Sequence, residues 1–274
     1  MSTRGRNRTR NRAATAAFGG PSYDADAQAY IDATGELFPD DLNTLVLGIK
    51  AAGLWDDHIG SIKKAIGVPS LAASMIDLRN TAFNGTAVNT PTHSATAGWG
   101  FTAASSQYIN SGWQVPATGS KATLDSVHIG VRLKAGGGVG QGLCSAYTDS
   151  APERYCGFLS FANGDQDVCF HGGNSAIFGP TQNPVAPANY IGTSTGTNAS
   201  ATYVNGASAA TSAAASTATI AVNVSIGALN NKGTPQNFFT GRVTLWHGGA
   251  GLDASQAAAL NTLFDAYAAA AGET

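Results

Sequence analysis

The apolar residues of this chain change their period near residue 75, and this change constrains the fold more than any other feature. In residues 126–133 (SVHIGVRL) every second residue is apolar, while His128 and Arg132 occupy positions between them. Such alternation is typical of a strand with one buried face. Shorter runs of β-branched and aromatic residues predict further strands at 107–109, 154–161, 168–170, 201–204, 219–226 and 241–246.

Turn residues separate these runs. Asn163-Gly164 and Asn205-Gly206 are dipeptides that two-residue hairpins favour, because both central residues adopt a positive φ. Residues 207–219, rich in Ala, Ser and Thr, predict a long loop or a hairpin tip. Short strands punctuated in this way predict a mainly β fold, an antiparallel sandwich or a barrel.

Helical periodicity precedes the strands. Asp24 or Asp26 can cap a short helix that ends at Gly35. Asp40 and Asp41 then open a second helix, whose apolar residues follow at spacings of three and four. These patterns predict a helical segment before the sandwich.

A third helix is predicted from about residue 56 to Pro69. The isoleucines at positions 59, 62 and 66 would face inward on this helix, and Lys63 and Lys64 would face solvent. After the strands, residues 253–271 return to a helical pattern, which predicts a C-terminal helix.

Charge is distributed unevenly along the chain. The formal net charge is −2, yet five of the fifteen Lys and Arg residues stand among the first twelve positions. The other ten basic and the seventeen acidic residues give the body a net charge of −7. An acidic body does not attract nucleic acid through its general field, so any contact with a polyanion falls to the N-terminal arm. No segment approaches the roughly 20 apolar residues of a transmembrane helix, so no membrane partner is expected.

The arm, residues 1–22, carries five alternating arginines: Arg4, Arg6, Arg8, Arg10 and Arg12. Alternate residues of an extended chain share one side, so the guanidinium groups can line one edge. Guanidinium forks pair bidentately with carboxylates, which favours an acidic groove on a partner protein. Packaged DNA is a second candidate partner, with strongly salt-dependent binding, although no aromatic residue separates the arginines. A solvated tail without a partner is the third interpretation.

The chain lacks a recognisable cluster of acids, histidines or nucleophiles. Glycoside hydrolysis commonly needs two carboxylates about 5–10 Å apart, and of the three glutamates only Glu153 falls among the strands. We therefore expect no enzymatic activity and no catalytic residue. Cys144, Cys156 and Cys169 lack C-x-x-C spacing, so we expect buried thiols, no bound metal and no cofactor, although adjacent strands can bring two of the three together.

Some residues remain candidates for a carbohydrate or calcium site at the rim of the sandwich. Alternate oxygen ligands after the Asn163-Gly164 turn suit a cation or sugar hydroxyls, although solvated turn acids are the commoner explanation. The candidates are Tyr147, Glu153, Asp165, Asp167 and His171. Other aromatic residues can supply a sugar-stacking platform, but more often fill the core; these are Trp99, Trp113, Tyr155 and Trp246.

Several segments resemble a known family. Residues 202–208 (TYVNGAS) resemble the Tyr-Val-Asn-Gly hairpin of concanavalin A-like, laminin-G-like jelly rolls, and residues 94–116 resemble the first strands of that sandwich. Residues 225–267 resemble its closing motif in structural proteins of tailed phages, with the strand SIGALN, the aromatic pair in NFFTGRV and a helix opened by LDASQ. Residues 24–67 are similar to a helical lead-in that often precedes this jelly roll, so the resemblance covers roughly residues 24–270 and leaves the arm outside.

The resemblance implies an antiparallel jelly-roll sandwich in a virion. We expect four regions: the anchoring arm (1–22), a helical lead-in (23–74), the jelly-roll sandwich (75–252) and a C-terminal helix packed on it (253–274). The implied role is a virion structural protein, a head decoration, head fibre, neck or tail surface component, docked by its arm on capsid, portal, neck or tail proteins. The alternative is a tail fibre or spike module that binds, or less readily cleaves, a host-surface glycan. Several copies are expected in either case, since weak glycan contacts gain from multivalency.

Overall fold

The chain forms a two-sheet β-sandwich flanked by helices, so the mainly β fold class predicted from the alternating pattern is confirmed. The computed structural model describes residues 22–136, 140–148, 154–159, 186–213, 215 and 220–273. The arginine arm, the Asn163-Gly164 turn and the predicted strand at 168–170 lie outside the described residues.

Capping residues set the limits of the helices. Helix α1 (Ala25–Thr34) begins after Asp24, whose side chain accepts from the Asp26 N–H, and ends at Gly35 with a left-handed φ of 68°. The C-terminal helix opens with a capping box formed by Asp253 and Gln256. This C-terminal helix is α4 (Ala254–Ala270), and the other described α-helices are α2 (Pro39–Ala51) and α3 (Leu71–Ser74). Short 3-10 helices lie at Thr81–Phe83 and Ala103–Ser105.

The described strands are mostly short. In chain order they are β1 (Ile59–Lys64), β2 (Thr86–Val88), β3 (Thr92–Ser94), β4 (Gly98–Phe101), β5 (Tyr108–Asn110), β6 (Val127–Gly136), β7 (Gly142–Thr148), β8 (Arg154–Leu159), β9 (Ala188–Gly196), β10 (Ala199–Val204), β11 (Ala207–Ser212), β12 (Ser225–Ile226), β13 (Leu229–Asn231), β14 (Thr234–Gln236) and β15 (Gly241–Gly249).

Within the described residues these strands form two sheets. The first sheet has the order β11-β10-β9-β6-β15-β4-β3, with β1 also paired to β15. The second has the order β14-β13-β7-β12-β5-β2, with β8 also paired to β7. The described pairings are antiparallel apart from β13 with β7. Neighbours such as β6 and β15 are distant in sequence, because successive strands such as β6 and β7 belong to different sheets. The chain therefore crosses between the sheets.

The first sheet is covered on both faces. Between the two sheets lies a core that includes the buried Trp99, Trp113 and Trp246, and the alternating apolar residues of β6 join it as predicted. Arg132 of β6 faces the other side, where it pairs with Asp265 of α4. That side carries a second core between the sheet and the helices, which includes Leu42, Leu45, Ile49, Ile62, Leu245, Leu260 and Phe264.

The prediction of a third helix is wrong, because residues 59–64 form β1 and pair antiparallel with β15. All six residues of β1 are buried, including Lys63 and Lys64, which the sequence pattern places in solvent. A strand buried on both faces has no polar side, so its apolar spacing does not distinguish it from a helix.

The two lysines of β1 each meet an acid in a different core. Adjacent strand residues face opposite sides of a sheet. Lys63 Nζ lies 2.6 Å from the carboxylate of Asp77 on the sandwich side. Lys64 pairs with Glu36 on the helix side and donates a 2.7 Å hydrogen bond to the hydroxyl of Tyr267. An unpaired buried charge is strongly destabilising. Each ion pair therefore keeps its acid, and the segment around Glu36 or Asp77, in contact with β1.

Two further predictions need correction. Residues 207–219 are predicted as a long loop or a hairpin tip, yet Ala207–Ser212 form strand β11, joined to β10 by the confirmed Asn205-Gly206 hairpin. This strand ends the first sheet, and its small, largely exposed side chains leave no apolar alternation to detect. Of the strand predicted at 219–226, only Ser225–Ile226 is in β conformation among the described residues.

Replacing Asp77 by Ala should lower the free energy of unfolding by about 3–5 kcal/mol, because the buried Lys63 ammonium loses its counter-ion. Urea denaturation followed by tryptophan fluorescence measures this change. The matched control is Asp56→Ala, which removes an acid that also forms an ion pair, with Arg79, but has an 82% exposed side chain. The control should unfold like the parent chain, and equal losses in both variants would contradict the assigned role of the buried pair.

Candidate functional site

Most residues selected from the sequence lie outside the described part of the chain. These are Arg4, Arg6, Arg8, Arg10 and Arg12 of the arm, with Glu153, Asp165, Asp167 and His171 of the rim set. Tyr147 is described on β7, where it is 8% exposed and aligned with Asn231 of β13. A ring buried to this degree cannot serve as an open stacking platform. The tryptophans Trp99, Trp113 and Trp246 are buried in the core, as the commoner interpretation predicts.

A different aromatic pair lies at the surface of the sandwich. The rings of Tyr108, at the start of β5, and Phe238, just after β14, are 6.2 Å apart and tilted by 39°. Both side chains are partly exposed. Asn110 is partly exposed two residues along β5, and Asn237 is exposed directly before Phe238. We call these four residues the aromatic patch.

Alternation along the backbone brings the two rings to the surface. In the Phe238-Phe239 dipeptide the first ring is partly exposed, and the second is 2% exposed in the core between the sheets. Tyr108 likewise precedes the fully buried Ile109, and Asn110 returns to the face of Tyr108. Each inward neighbour therefore anchors an outward ring.

Left-handed backbone conformations adjoin the aromatic patch. Seven non-glycine residues of the described chain have a positive φ, and four of them lie near the aromatic residues of the patch, Tyr108 and Phe238. Two of the four are close to these residues in sequence, and the other two follow β2, the strand that pairs with Tyr108. A β-branched residue such as Thr90 rarely adopts this conformation. Strain of this kind concentrates at binding and catalytic sites, where it holds groups in position. The four residues are Asn89, Thr90, Ser106 and Asn237, with φ values of 55°, 52°, 51° and 51°.

Side-chain hydrogen bonds hold two of these loops together. Asn89 Nδ2 donates to the Ser106 carbonyl at 2.9 Å, and Gln107 Nε2 donates to the Thr90 carbonyl at 3.0 Å. Gln107 Oε1 also accepts from the Thr102 N–H at 2.8 Å. The loops beside Tyr108 are therefore fixed before a ligand arrives, which reduces the entropy lost on binding.

The aromatic patch combines the apolar surface of two tilted rings with amide groups. Such a combination suits a ligand that has an apolar face and several hydroxyl groups, because rings cover the face while amides donate and accept hydrogen bonds. Neither Tyr108 nor Phe238 is among the site candidates predicted from the sequence, where the adjacent phenylalanines belong only to the closing motif. The available signal is the Phe238-Phe239 dipeptide after β14, in which the first ring stays partly exposed while the second enters the core.

His58, His128 and His247 lie near the junction of β15 and α4, and the last two form a buried pair. His128 Nε2 and His247 Nδ1 are 3.0 Å apart, and His128 Nδ1 contacts the Ala250 carbonyl. A neutral imidazole carries one N–H, so His128 donates from Nδ1 to that carbonyl and accepts from His247 at Nε2. Burial lowers the pKa of His128 to about 4 and the pKa of His247 well below its ordinary value. Both are neutral groups that pack β15 against α4, with His247 4.9 Å from the Phe264 ring.

The remaining buried ionisable groups also serve the packing. Burial lowers the pKa of Lys64 to about 8 against the opposing effect of Glu36, and burial raises the pKa of the Cys156 thiol to about 12. Cys144 and Cys156 are buried free thiols, as predicted, whereas Cys169 lies outside the described residues. No group of three His, Cys, Asp or Glu residues in the described ranges is arranged to hold a metal ion. Nor does any helix described here have the length and apolar character needed to span a bilayer.

Among the comparisons with known proteins, only solved structures match this chain, and they match its fold. No protein-family model and no curated protein matches this chain. The sialidase of Trypanosoma rangeli matches 83% of the chain with a TM-score of 0.52 at 11% identity. Its complexes with 2,3-difluoro-KDN and, as a covalent intermediate, with 2,3-difluorosialic acid match the same share at TM-scores of 0.52 and 0.50 and identities of 13% and 15%. The chain spans 39–40% of the length of these sialidases.

The expectation that the chain is not an enzyme is overturned by these neighbours, since the structures that share its fold belong to enzymes. Glycoside hydrolysis commonly needs paired carboxylates, and the sequence shows no recognisable pair. Glycosidases that use a tyrosine nucleophile leave no such pair, so the missing pattern does not exclude activity. At 11–15% identity the likeness concerns the fold and assigns no reaction to this chain.

Stability should fall as the pH drops from 6.5 towards 4, because the unfolded chain binds a proton at His128 that the folded chain excludes. The contribution of neutral His128 to the free energy of unfolding is fully present above the ordinary histidine pKa of about 6.5. About 2 kcal/mol of it is lost at pH 5. Urea denaturation at pH 7.5 and pH 5 measures the loss. His128→Asn keeps a donor for the Ala250 carbonyl but does not titrate. Between pH 7.5 and pH 5 this variant should therefore lose about 2 kcal/mol less stability than the parent chain. Parallel losses in the two proteins would refute the assignment.

Proposed function

We propose that the sandwich recognises a carbohydrate through the aromatic patch. The observation that carries the proposal is the partly exposed Tyr108–Phe238 pair, set beside Asn110 and Asn237. A sugar ring has a C–H face that packs on aromatic rings and hydroxyl groups that bond to amides. The strained, hydrogen-bonded loops support the proposal, because they hold the rings in one arrangement.

Glycan-array binding of the full chain tests this proposal, with sialylated glycans included because the structural neighbours are sialidases. We expect binding of a defined set of glycans by the parent chain. Phe238→Ala and Tyr108→Ala should each weaken it about five- to tenfold, since an aromatic contact contributes about 1–1.5 kcal/mol. Isothermal titration with the best glycan on the array measures the change.

Two controls make the outcome decisive. Tyr23→Ala removes another partly exposed aromatic side chain, one that bonds to Asp40 beside the helices, and should leave glycan affinity unchanged. Thermal unfolding should show that Phe238→Ala remains folded, whereas Phe239→Ala, which empties part of the core, should lose about 3–5 kcal/mol. An array without any bound glycan, or equal affinity in the parent and both patch variants, would refute the proposal.

The setting that we propose for this sandwich is the surface of a virion of a tailed phage. The support is the resemblance of residues 202–208 and 225–267 to jelly rolls of phage structural proteins, together with the alternating arginines of residues 4–12. In this setting the arm docks on an acidic groove of a capsid, portal, neck or tail protein, and DNA is the second candidate. Display in several copies would raise the avidity for a surface glycan.

Deleting residues 1–22 tests the docking role of the arm. The shortened chain should unfold at the same temperature as the parent, because the cores described here use none of these residues. It should be absent from purified particles of a phage that carries the parent chain, as measured by mass spectrometry. A matched variant with Gln at the five arginine positions should be absent too, and normal incorporation of either variant would sink the docking proposal.

A further inference from the structure

A cleft with a volume of about 230 Å³ lies between α1 and the segment that follows α3. At about 30 Å³ for each water molecule in the liquid, this volume corresponds to roughly seven or eight waters. Ala29, Ala33, Ile76 and Leu78 give the cleft apolar lining. Its polar lining includes Asp26, Tyr30, Arg79 and Asn80. The cleft shares no residue with the aromatic patch.

Tyr30 lines this cleft, and its hydroxyl is a buried donor without a described partner. Tyr30 is 3% exposed, and its hydroxyl has no hydrogen-bond partner among the described residues. The ring is fixed, because the Lys64 ammonium lies 5.0 Å from its centroid. A buried hydroxyl without a protein partner is costly, and a bound molecule or a water can satisfy it.

Arg79 brings a positive charge to the same cleft. Its guanidinium carbon lies 5.2 Å from the centroid of the Trp55 ring, and Nε donates to the Trp55 carbonyl at 3.2 Å. Nη2 also donates to Asp56 at 3.1 Å, but that carboxylate is 82% exposed and holds the arginine weakly. These two bonds leave three of the five guanidinium N–H groups for a ligand.

The buried Lys63–Asp77 pair holds this wall of the cleft in position. The Asp77 carboxylate accepts hydrogen bonds from the backbone N–H of Arg79 at 3.0 Å and of Asn80 at 2.9 Å. The Asn80 Oδ1 in turn accepts from the Ala82 N–H, so its NH₂ group remains as a donor. The donors of Arg79 and Asn80 are therefore carried by a turn whose backbone is fixed from the core.

We propose that this cleft binds a small hydroxylated carboxylate. Arg79 and Asn80 of the lining carry unused N–H donors, and the buried Tyr30 hydroxyl is a third donor without a described partner. The guanidinium fork of Arg79 matches the geometry of a carboxylate. The Asp26 carboxylate is the acceptor for a hydroxyl group of the ligand, since one of its oxygens pairs with Lys50 and the side chain remains 40% exposed. The apolar lining receives the carbon skeleton.

Isothermal titration of the full chain tests the proposal with D-glucuronate, and with D-glucose as a neutral probe of nearly the same size. Glucuronate should bind at least tenfold more tightly than glucose, because only glucuronate has a carboxylate for Arg79. Arg79→Lys should weaken glucuronate binding about tenfold, since an ammonium cannot form the bidentate pair. Equal affinities for the two sugars, or no heat with millimolar glucuronate, would overturn the proposal.

A pair of tyrosine variants separates binding from stability. Tyr30→Phe should weaken glucuronate binding about fivefold while the melting temperature stays equal or rises, because the removed hydroxyl has no partner in the free protein. Tyr267→Phe is the matched control: Tyr267 also lies 5.0 Å from the Lys64 ammonium, but its hydroxyl donates to Glu36 at 2.9 Å. This control should melt at a lower temperature and bind glucuronate normally. A lower melting temperature for Tyr30→Phe would show that its hydroxyl is already satisfied, and would refute the proposal.

Phe238→Ala distinguishes this site from the aromatic patch. That variant should bind glucuronate like the parent chain, whatever the outcome on the glycan array. Loss of glucuronate binding in Phe238→Ala would place the carboxylate at the patch and overturn the assignment to the cleft.

Discussion

The insertion of β1 beside β15 is the interaction on which the rest of the structure depends. This strand carries two adjacent lysines into two different cores, and each charge is neutralised by an acid from a separate part of the chain. Glu36 comes from the connection between α1 and α2, and Asp77 from the turn after α3. Hydrophobic packing is non-directional and would allow the helices to slide over the sheet. Buried ion pairs with defined partners remove that freedom, so they fix how the helical layer is seated on the first sheet.

The same constraint connects the fold to the cleft between α1 and the turn after α3. Asp77 neutralises Lys63 and also receives the backbone N–H groups of that turn, so a single carboxylate joins the sandwich to the wall of the cleft. The aromatic patch is built differently. The ring of Tyr108 depends on alternation along the short strand β5, and Phe238 follows the left-handed Asn237 in the segment after β14. Two unrelated means of fixing side chains therefore produce two candidate binding sites on one chain.

Much of the fold was predictable from the sequence, and the errors have identifiable physical causes. Alternation predicted β6 and the face that it buries, and Asn205-Gly206 predicted a hairpin, because these signals are local. The failure at β1 arose because a strand buried on both faces shows no alternation, and because charged residues at Lys63 and Lys64 normally indicate solvent. Asp77 stands 14 positions from Lys63, and Glu36 stands 28 positions from Lys64, so the pairing is a tertiary fact that no local pattern reports. The aromatic patch was missed for the same reason, since Phe238 meets Tyr108 only after the strands have assembled.

Burial of the first sheet on both faces has a consequence for how such a chain can diverge. Seven successive residues of β15 are buried; Val243 and Trp246 belong to the core between the sheets, and Leu245 belongs to the core beneath the helices. A substitution anywhere along this strand changes the packing of a core, and close-packed interiors respond to a change of even one methylene group. The rings of Tyr108 and Phe238 are not constrained in this way, because only the inward neighbour of each ring is part of the core. Related chains can therefore change what the aromatic patch contacts while keeping the central strand β15, so new binding specificities should arise at the aromatic patch.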